Sequence, residues 1–467
     1  MEIRPPDPAV EIRPPDPVLQ ILDRLWASGH AAYVVGGSLR DVILDRVPAD
    51  WDMSTDARPE RLLELFPGAA YENRFGTVAV RQGGEAFEIT TFRSDHEYAD
   101  HRRPHRVKFG NAIVDDLARR DFTINALAWG ADAPAVRAGD AAAPSGAAAP
   151  LLIDPHGGIA DIEARVIRAV GYPRRRFEED ALRMIRAVRL AATLDFGVEA
   201  GTLAAIQARS PLVEHLSAER LAAELDKLLG ADRPSIGLQL MATTGILMVL
   251  SPELAAQRGI PQSKIPGDDL WDHTMRTVDA VPSNRPVVRL AALLHDIGKP
   301  ATMADGHFLG HDVVGANLAL AFLSRLKFPR AVTDRVVHLV RHHMFAYDQS
   351  WGDSGIRRFI RRVGRDALEP LFDLREADNV GSGQARSAHG VDDLRRRVDE
   401  QLAAPVVLER GDLAIDGSDL IAELGLGEGP VLGRILDELL EQAVTDPAIN
   451  DRPTLLMLAA AMLTEDR

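Results

Sequence analysis

YVVGGSLRDVILDRVPADWD, residues 33–52, is the stretch from which the fold of this chain is read. Tyr33, Val34 and Val35 form a short apolar run that reads as a buried strand. Gly36-Gly37 then lets the backbone pass close to a partner. Ser38 to Leu44 reads as a helix with Leu39, Val42 and Ile43 on one face. Its start offers free N–H groups to an anion, with Arg40 one turn in. Asp50 and Asp52 alternate with Trp51, so on a strand both carboxylates leave from the same face, about 6–7 Å apart at Cα. That suits hard, oxygen-seeking Mg²⁺, and a pair of ions about 3.5–4 Å apart. Singly, Gly-Gly is a turn and Asp-x-Asp a solvated or capping pair. In this order and within one short segment, they are the equipment of nucleotidyl transfer.

The segment resembles the signature of the DNA polymerase beta-type nucleotidyltransferases. Its G-G-x-x-R-D spelling narrows the likeness to the bacterial class (class II) of tRNA nucleotidyltransferases and their poly(A) polymerase relatives. The resemblance implies Mg²⁺ on Asp50 and Asp52, and nucleotide on Gly36, Gly37 and Arg40.

At 467 residues the chain is long enough for several domains, and 46% hydrophobic with 26% charged residues is globular composition. Without cysteine there is no disulfide, thiolate metal site or cysteine nucleophile. No apolar run is long enough to span a bilayer, and the amino terminus lacks the apolar stretch of a secretory signal. A cytoplasmic protein without membrane attachment is expected. A net charge of −15 argues against a generally basic nucleic-acid-binding surface. It leaves room for local basic patches, and Arg174–Arg176, the group Arg357, Arg358, Arg361, Arg362 and Arg365, and Arg395–Arg397 are candidates. Each is read either as an RNA contact or as a solvated helix face.

Residues 1–17 carry a direct repeat, EIRPPDPAV and EIRPPDPVL, expected to be an extended or disordered tail. Residues 18–167 mix helices with alternating strands, interrupted by a loop rich in Ala, Pro and Gly from Ala131 to Pro150. From Phe177 onward the pattern is helical, with punctuation near Gly259–Gly267 and Ala403–Pro405. The expected segments are a head over 18–167, a neck over 168–258, a helical domain over 259–402 and a helical carboxy-terminal module over 403–467.

RRDFTIN, Arg119 to Asn125, places two planar cations beside an acceptor for a ribose hydroxyl. The resemblance assigns Arg120 to phosphate, Asp121 to ribose and Asn125 to support. Glu88, on a strand with Thr90 and Phe92, is either a third carboxylate near the metals or an exposed strand position. In FEEDALRMIRAVRLAA, Phe177 to Ala192, a helix brings Asp180 and Glu179 next to Arg183. Alone this is an ordinary ion pair. Yet cytosine and adenine both present an amine beside an unprotonated ring nitrogen, which a carboxylate and a guanidinium match. Uracil and guanine present the reverse polarity. The resemblance makes Asp180 and Arg183 a protein template for CTP and ATP, with Glu179 beside them and Arg186 and Arg189 as further nucleotide contacts. It reads RSDHEYADHRRPHRVKFG (residues 93–110) as a flexible loop whose Asp100, Arg102, Arg103 and Pro104 favour adding all three nucleotides. It reads Asp154 to Gly171 as the head–neck connection, here followed by Tyr172 where an acidic or amide residue is usual. Ser217 to Leu229 reads as a structural neck motif.

A second series comprises His273, His295-Asp296, His311, His342-His343 and Asp378. Imidazoles and carboxylates together suit one or two divalent transition metals able to activate water against a phosphate ester. The series resembles the HD phosphohydrolase superfamily, which implies His273, His295, Asp296 and Asp378 as first ligands, with His311 and His342 supporting a second ion. An idle helical scaffold is the alternative. Asp412 to Leu440 resembles a carboxy-terminal module, read as tRNA-binding. The fold class expected is therefore α+β: a polymerase beta-like nucleotidyltransferase head, a mixed sheet with helices, followed by an all-helical neck and body containing an HD-type helical domain. The expected activity is template-independent addition of CCA to the 3′ end of tRNA from CTP and ATP, with pyrophosphate released. Rivals are a poly(A) polymerase, an A-adding or CC-adding specialist, a mainly HD-type phosphohydrolase, or a tRNA-binding factor with a relic head.

Overall fold

The computed structural model describes residues 12–73, 76–98, 104–110, 112–132, 149–262, 264–403 and 406–465. Asp100, Arg102 and Arg103, most of the repeated amino-terminal peptide and residues 133–148 lie outside the described residues. The chain forms two compact units, Met1–Leu250 and Ser251–Arg467.

In the first unit, α1 (Asp16–Ala27) buries Val18, Ile21, Leu22 and Leu25, a spacing that keeps one face apolar. Strand β1 (Ala32–Val35) is buried at every position because it is paired on both edges. Its neighbours β2 (Asp52–Thr55) and β8 (Ala128–Ala131) both run antiparallel to it. With β3 (Ala70–Asn73), β4 (Thr77–Gln82), β5 (Glu85–Thr91) and β9 (Leu151–Ile153), they form a seven-stranded sheet in the order β3-β4-β5-β2-β1-β8-β9. Within this sheet, only β2 and β5 pair in parallel. Strands β6 (Arg93–Tyr98) and β7 (Pro104–Phe109) form a separate antiparallel hairpin.

The chain leaves β1 through Gly36, at φ 85° and ψ −139°, and enters α2 (Gly37–Ile43). This is a glycine conformation, and a Cβ at Gly36 would stand 2.7 Å from Arg120 Nη1. The strand–glycine–helix reading therefore holds. One detail does not: β2 begins at Asp52, and residues 46–51 form an irregular connection. Asp50 lies ahead of the strand, because β1 ends at Val35, the partner of Asp52, and then turns into a helix.

Helix α3 (Ile113–Ala118) belongs to the head, and the neck supplies α4 (Pro173–Glu179), α5 (Leu182–Leu194) and α6 (Ala218–Leu229). The single helix expected over Phe177–Ala192 is two helices. Asp180 is extended, at φ −148° and ψ 105°, and its Oδ1 accepts from Leu182 N at 3.1 Å. A short carboxylate offers the backbone a local alternative to the helix ladder, and here that alternative wins.

The second unit is helical: α7 (Leu270–Ala280), α8 (Pro286–Leu294), α9 (His311–Arg325), α10 (Arg330–His342), α11 (Asp353–Val363), α12 (Arg365–Gly381) and α13 (Pro430–Thr445). Helix α8 is buried from Val288 to Leu294, so it is central, and it delivers His295 and Asp296 into the interior. The carboxy-terminal helices surround their own core of Leu420, Leu439, Val444 and Leu455. Among the described residues, no helix is long and apolar enough to cross a membrane.

Gly36→Ala should lower unfolding stability by about 2 kcal/mol, from backbone strain at the turn. Urea unfolding measures the loss, and an unchanged midpoint would show that the turn tolerates a side chain.

Candidate active site and metal centre

A cleft of about 380 Å³ in the first unit collects side chains from three places. Asp52 and Glu88 come from the sheet, Arg120 and Asp121 from the turn after α3, and Asp180, Arg183 and Arg186 from the neck. Asp52 pairs with Val35 across β1–β2, while Met53 pairs with Ile89 across β2–β5. Asp52 and Glu88 therefore sit side by side on neighbouring strands, opposite in face to the buried Met53 and Ile89. Asp52 keeps access to solvent. Even so, the protein mass around it and then the charge of Asp50 push its carboxyl above the usual range, against the pull of Arg120 and Arg186. Such an excess of negative charge beside hard oxygen donors fits a divalent cation.

The cations of the cleft are held from behind. Asp116 on α3 is fully buried, and Arg119 donates to it at 2.6 Å and Arg120 at 3.4 Å. Burial pushes the Asp116 carboxyl up, but Arg119 and Arg120 outweigh it and hold the pKa below the ordinary value. Arg120 Nε is buried with no hydrogen-bond partner. Arg40 donates to Asp41 at 2.7 Å and to Asn125 Oδ1 at 2.7 Å, so it acts first as a strut. Asn125 donates in turn to Asp121 Oδ1 at 3.2 Å, and Arg186 Nε donates to Asp121 Oδ2 at 2.7 Å. Burial raises the Asp121 carboxyl, yet Arg186 and then Arg183 bring it down to about 2.

Asp180 and Arg183 both face the cleft, and each has a backing partner of opposite charge. Arg220 on α6 donates to Asp180 Oδ2 at 2.7 Å. Arg183 donates to Glu179 Oε2 at 2.9 Å and to the Arg119 carbonyl at 2.8 Å. One turn beyond Arg220, Glu224 lies 2.9 Å from Arg189. Asp116, Arg220 and Glu224 were not singled out from sequence. Their signals were only the i,i+3 and i,i+4 spacing of Asp116 to Arg119 and Arg120, and the opposite charges of Arg220 and Glu224 on one face of α6.

The basic runs are largely internal ties. Arg357 is buried and donates to the carbonyls of Val444 and Thr445, capping the end of α13. Arg358 and Arg361 pair with Glu441. Arg395 pairs with Glu376, Arg396 with Asp393 and Glu400, and Arg397 with Asp353. Arg176 pairs with Glu179, while Arg174 is exposed.

In the second unit His273, His295, Asp296 and Asp378 lie together. His273 Nε2 lies 3.3 Å from Asp378 and 3.4 Å from Asp296, and His295 Nε2 lies 3.1 Å from Asp296. The other oxygen of Asp296 lies 3.4 Å from His311 Nε2 and 3.7 Å from His343 Nε2. The expectation for His342 is corrected: the second group is Asp296, His311 and His343. Helix α10 ends at His342, whose ring packs on His338 at 4.5 Å, and the next residue turns inward. Burial, and then the charges of His338 and Arg341, depress His342 to about 4.

The donor set fits metal. Nδ1 of His295, His311 and His343 each donates to the carbonyl three residues earlier, at 2.7–2.8 Å. A carbonyl can only accept, so Nδ1 carries the proton and Nε2 presents a lone pair. His311 Nε2 and His343 Nε2 thus meet at 3.3 Å. Two lone pairs at that distance require a shared proton or a cation.

The chain matches three family models: the poly A polymerase head domain over residues 32–168, a probable RNA and SrmB-binding site of polymerase A over 195–258, and the HD domain over 265–382. A CCA-adding enzyme of Geobacillus kaustophilus is 32% identical over 92% of this chain and 93% of its own length. One from Streptococcus suis is 30% identical over 96% of each. The structure of a Bacillus stearothermophilus CCA-adding enzyme in complex with CTP is 28% identical, with a TM-score of 0.70 over 97% of this chain and 99% of that one. A Thermotoga maritima CCA-adding enzyme complexed with tRNA shares the fold at 21% identity and a TM-score of 0.56, over 96% of each chain.

Asp121→Asn should cost about 2 kcal/mol at neutral pH, from the depression of this carboxyl from 3.8 to about 2. The sign follows from a lowered pKa: the stabilisation is complete above the unfolded value and is lost as pH falls from 4 toward 2. Unfolding free energies of the two proteins across that window should converge. Titration with Mn²⁺ should show His343→Ala losing affinity at least about tenfold while His342→Ala keeps it. Equal losses would restore His342 as a ligand.

Proposed function

This chain belongs to the CCA-adding enzymes, and we propose that this cleft builds the terminal CCA of tRNA from CTP and ATP, choosing bases with side chains. The observation that carries this reading is the separate backing of Asp180 by Arg220 and of Arg183 by Glu179. Although three residues apart, the two selectors are not spent on each other. Each Asp180 oxygen accepts one bond and keeps a lone pair for an amine, and Arg183 keeps N–H groups for a ring nitrogen, the arrangement that cytosine and adenine satisfy. Uracil and guanine would set acceptor against carboxylate and donor against guanidinium, in a site whose charges are fixed. A mismatch of that kind costs at least about a hundredfold in efficiency.

Asp50 and Asp52 would hold Mg²⁺, with Glu88 beside Asp52. When bound, Mg²⁺ supplies Lewis-acid stabilisation of charge at the reacting phosphate. Arg120, which lines the cleft, donates to the triphosphate, and the backbone after Gly37 adds its N–H groups. Arg40 orients Asn125, and Asn125 orients Asp121 beside the ribose. Arg186 holds Asp121 from the neck, so sugar position and base position are set together. The 3′ hydroxyl of tRNA attacks the α-phosphate in line and pyrophosphate leaves. The segments over 18–167 and 168–258 form this polymerising part. The helices over 403–467 are assigned to tRNA binding, and the setting is the cytoplasm.

Over 259–402, the two ligand groups sharing Asp296 support a second, HD-type hydrolysis of phosphate esters. A divalent transition metal would be held by His273, His295, Asp296 and Asp378, and another by Asp296, His311 and His343.

Incubating the protein with tRNA transcripts lacking CCA, and with each nucleotide singly, should show CTP used first and ATP once. Repeated ATP addition would point instead to a poly(A) polymerase. Asp52→Ala should lower incorporation at least about a thousandfold, whereas His295→Ala should leave it intact. The exchange Asp180→Arg with Arg183→Asp should lower CTP and ATP use at least about a hundredfold and admit UTP. Unchanged preference would sink the base-reading scheme.

A further inference from the structure

Arg220 does more in this cleft than orient Asp180. Its side chain comes from α6 and lines the cavity. Nη2 is committed to Asp180 Oδ2 at 2.7 Å, while Nη1 is buried and without a hydrogen-bond partner. A guanidinium is a rigid planar fork, so the second donor projects beside the first, next to the carboxylate that receives the amine of the base. A buried donor with no acceptor is destabilising, and this one belongs to a side chain that lines the cleft.

Cytosine and adenine are alike at the amine and at the ring nitrogen that Arg183 meets. They differ on the far side of the amine. Adenine carries the acceptor N7 there, whereas cytosine carries a C–H group. We propose that Arg220 Nη1 donates to adenine N7 when ATP is bound, making Arg220 a specificity-determining residue for the adenosine step. This rests on the base-reading role of Asp180 and Arg183. The carboxylate and the fork then read amine and N7 together, as one acceptor–donor couple. Cytosine leaves Nη1 without that bond, so the two bases share a pocket but not all of its contacts.

The probe is 7-deazaadenosine triphosphate, which replaces N7 by C–H and keeps the pairing edge. On a tRNA transcript ending in CC, the wild-type protein should use it about tenfold less efficiently in kcat/KM than ATP, the effect of one hydrogen bond from a charged donor. In Arg220→Met the two nucleotides should be used within about twofold of each other, whatever the absolute rate. Arg220→Leu, which has no donor, should behave in the same way and covers the case in which the Met variant folds poorly. Equal use of both nucleotides by the wild type overturns the proposal, as does a penalty that survives in either variant. Base reading is tested separately: uptake of UTP or GTP by the wild type would sink that scheme. Intact rejection of both, with no penalty at N7, sinks only the assignment of Arg220.

Discussion

The ion pair between Asp121 and Arg186 is the constraint on which the polymerising half depends. Asp121 belongs to the turn that carries Arg119 and Arg120, and Arg186 belongs to the neck helix that carries Arg183. Asn125 extends the link to Arg40 and so to the helix after Gly36. One hydrogen-bonded chain therefore runs from the helix after Gly36, through the turn that carries Arg120, to the neck helix that carries Arg183. Both Asp121 oxygens are engaged, and burial makes breaking any single bond more expensive than on a surface.

The same logic recurs for several charged groups in and beside the cleft. Asp116 stands behind Arg119 and Arg120, Glu179 behind Arg183, Arg220 behind Asp180 and Glu224 behind Arg189. A fixed charge with a fixed partner does not reorganise when substrate arrives, which is where preorganised electrostatics gain over water. It also reconciles an overall charge of −15 with a site for triphosphates. Acidic partners hold the cations that line the cleft: Asp116 for Arg119, Glu179 for Arg183 and Asp121 for Arg186.

In the second unit Asp296 has the corresponding position. Its two oxygens face two histidine groups, and Lys299 Nζ lies 2.6 Å from the oxygen shared with His273 and His295. The central apolar helix α8 sets that carboxylate at the meeting point, and three imidazoles have their tautomers fixed by their own backbones. Both centres thus rely on a buried carboxylate carried by rigid structure.

The local sequence determined the strand, the glycine turn and the helix of residues 33–43, because an apolar run and a residue with no Cβ restrict the backbone by themselves. It also determined which residue types gather, since Asp-x-Asp, Arg-Arg-Asp, Asp-x-x-Arg and His-Asp state their chemistry in a few positions. Only the tertiary structure decided that Asp180 breaks its helix, that Asp50 precedes its strand, and that His343 rather than His342 turns inward. Those outcomes depend on competition between local hydrogen bonds and packing, where a single residue of rotation changes which face is buried. Only the fold, too, could name Asp116, Arg220 and Glu224 as partners, since Arg220 and Asp180 stand forty residues apart in sequence. Spacing along a chain says nothing about a charge brought in by another helix.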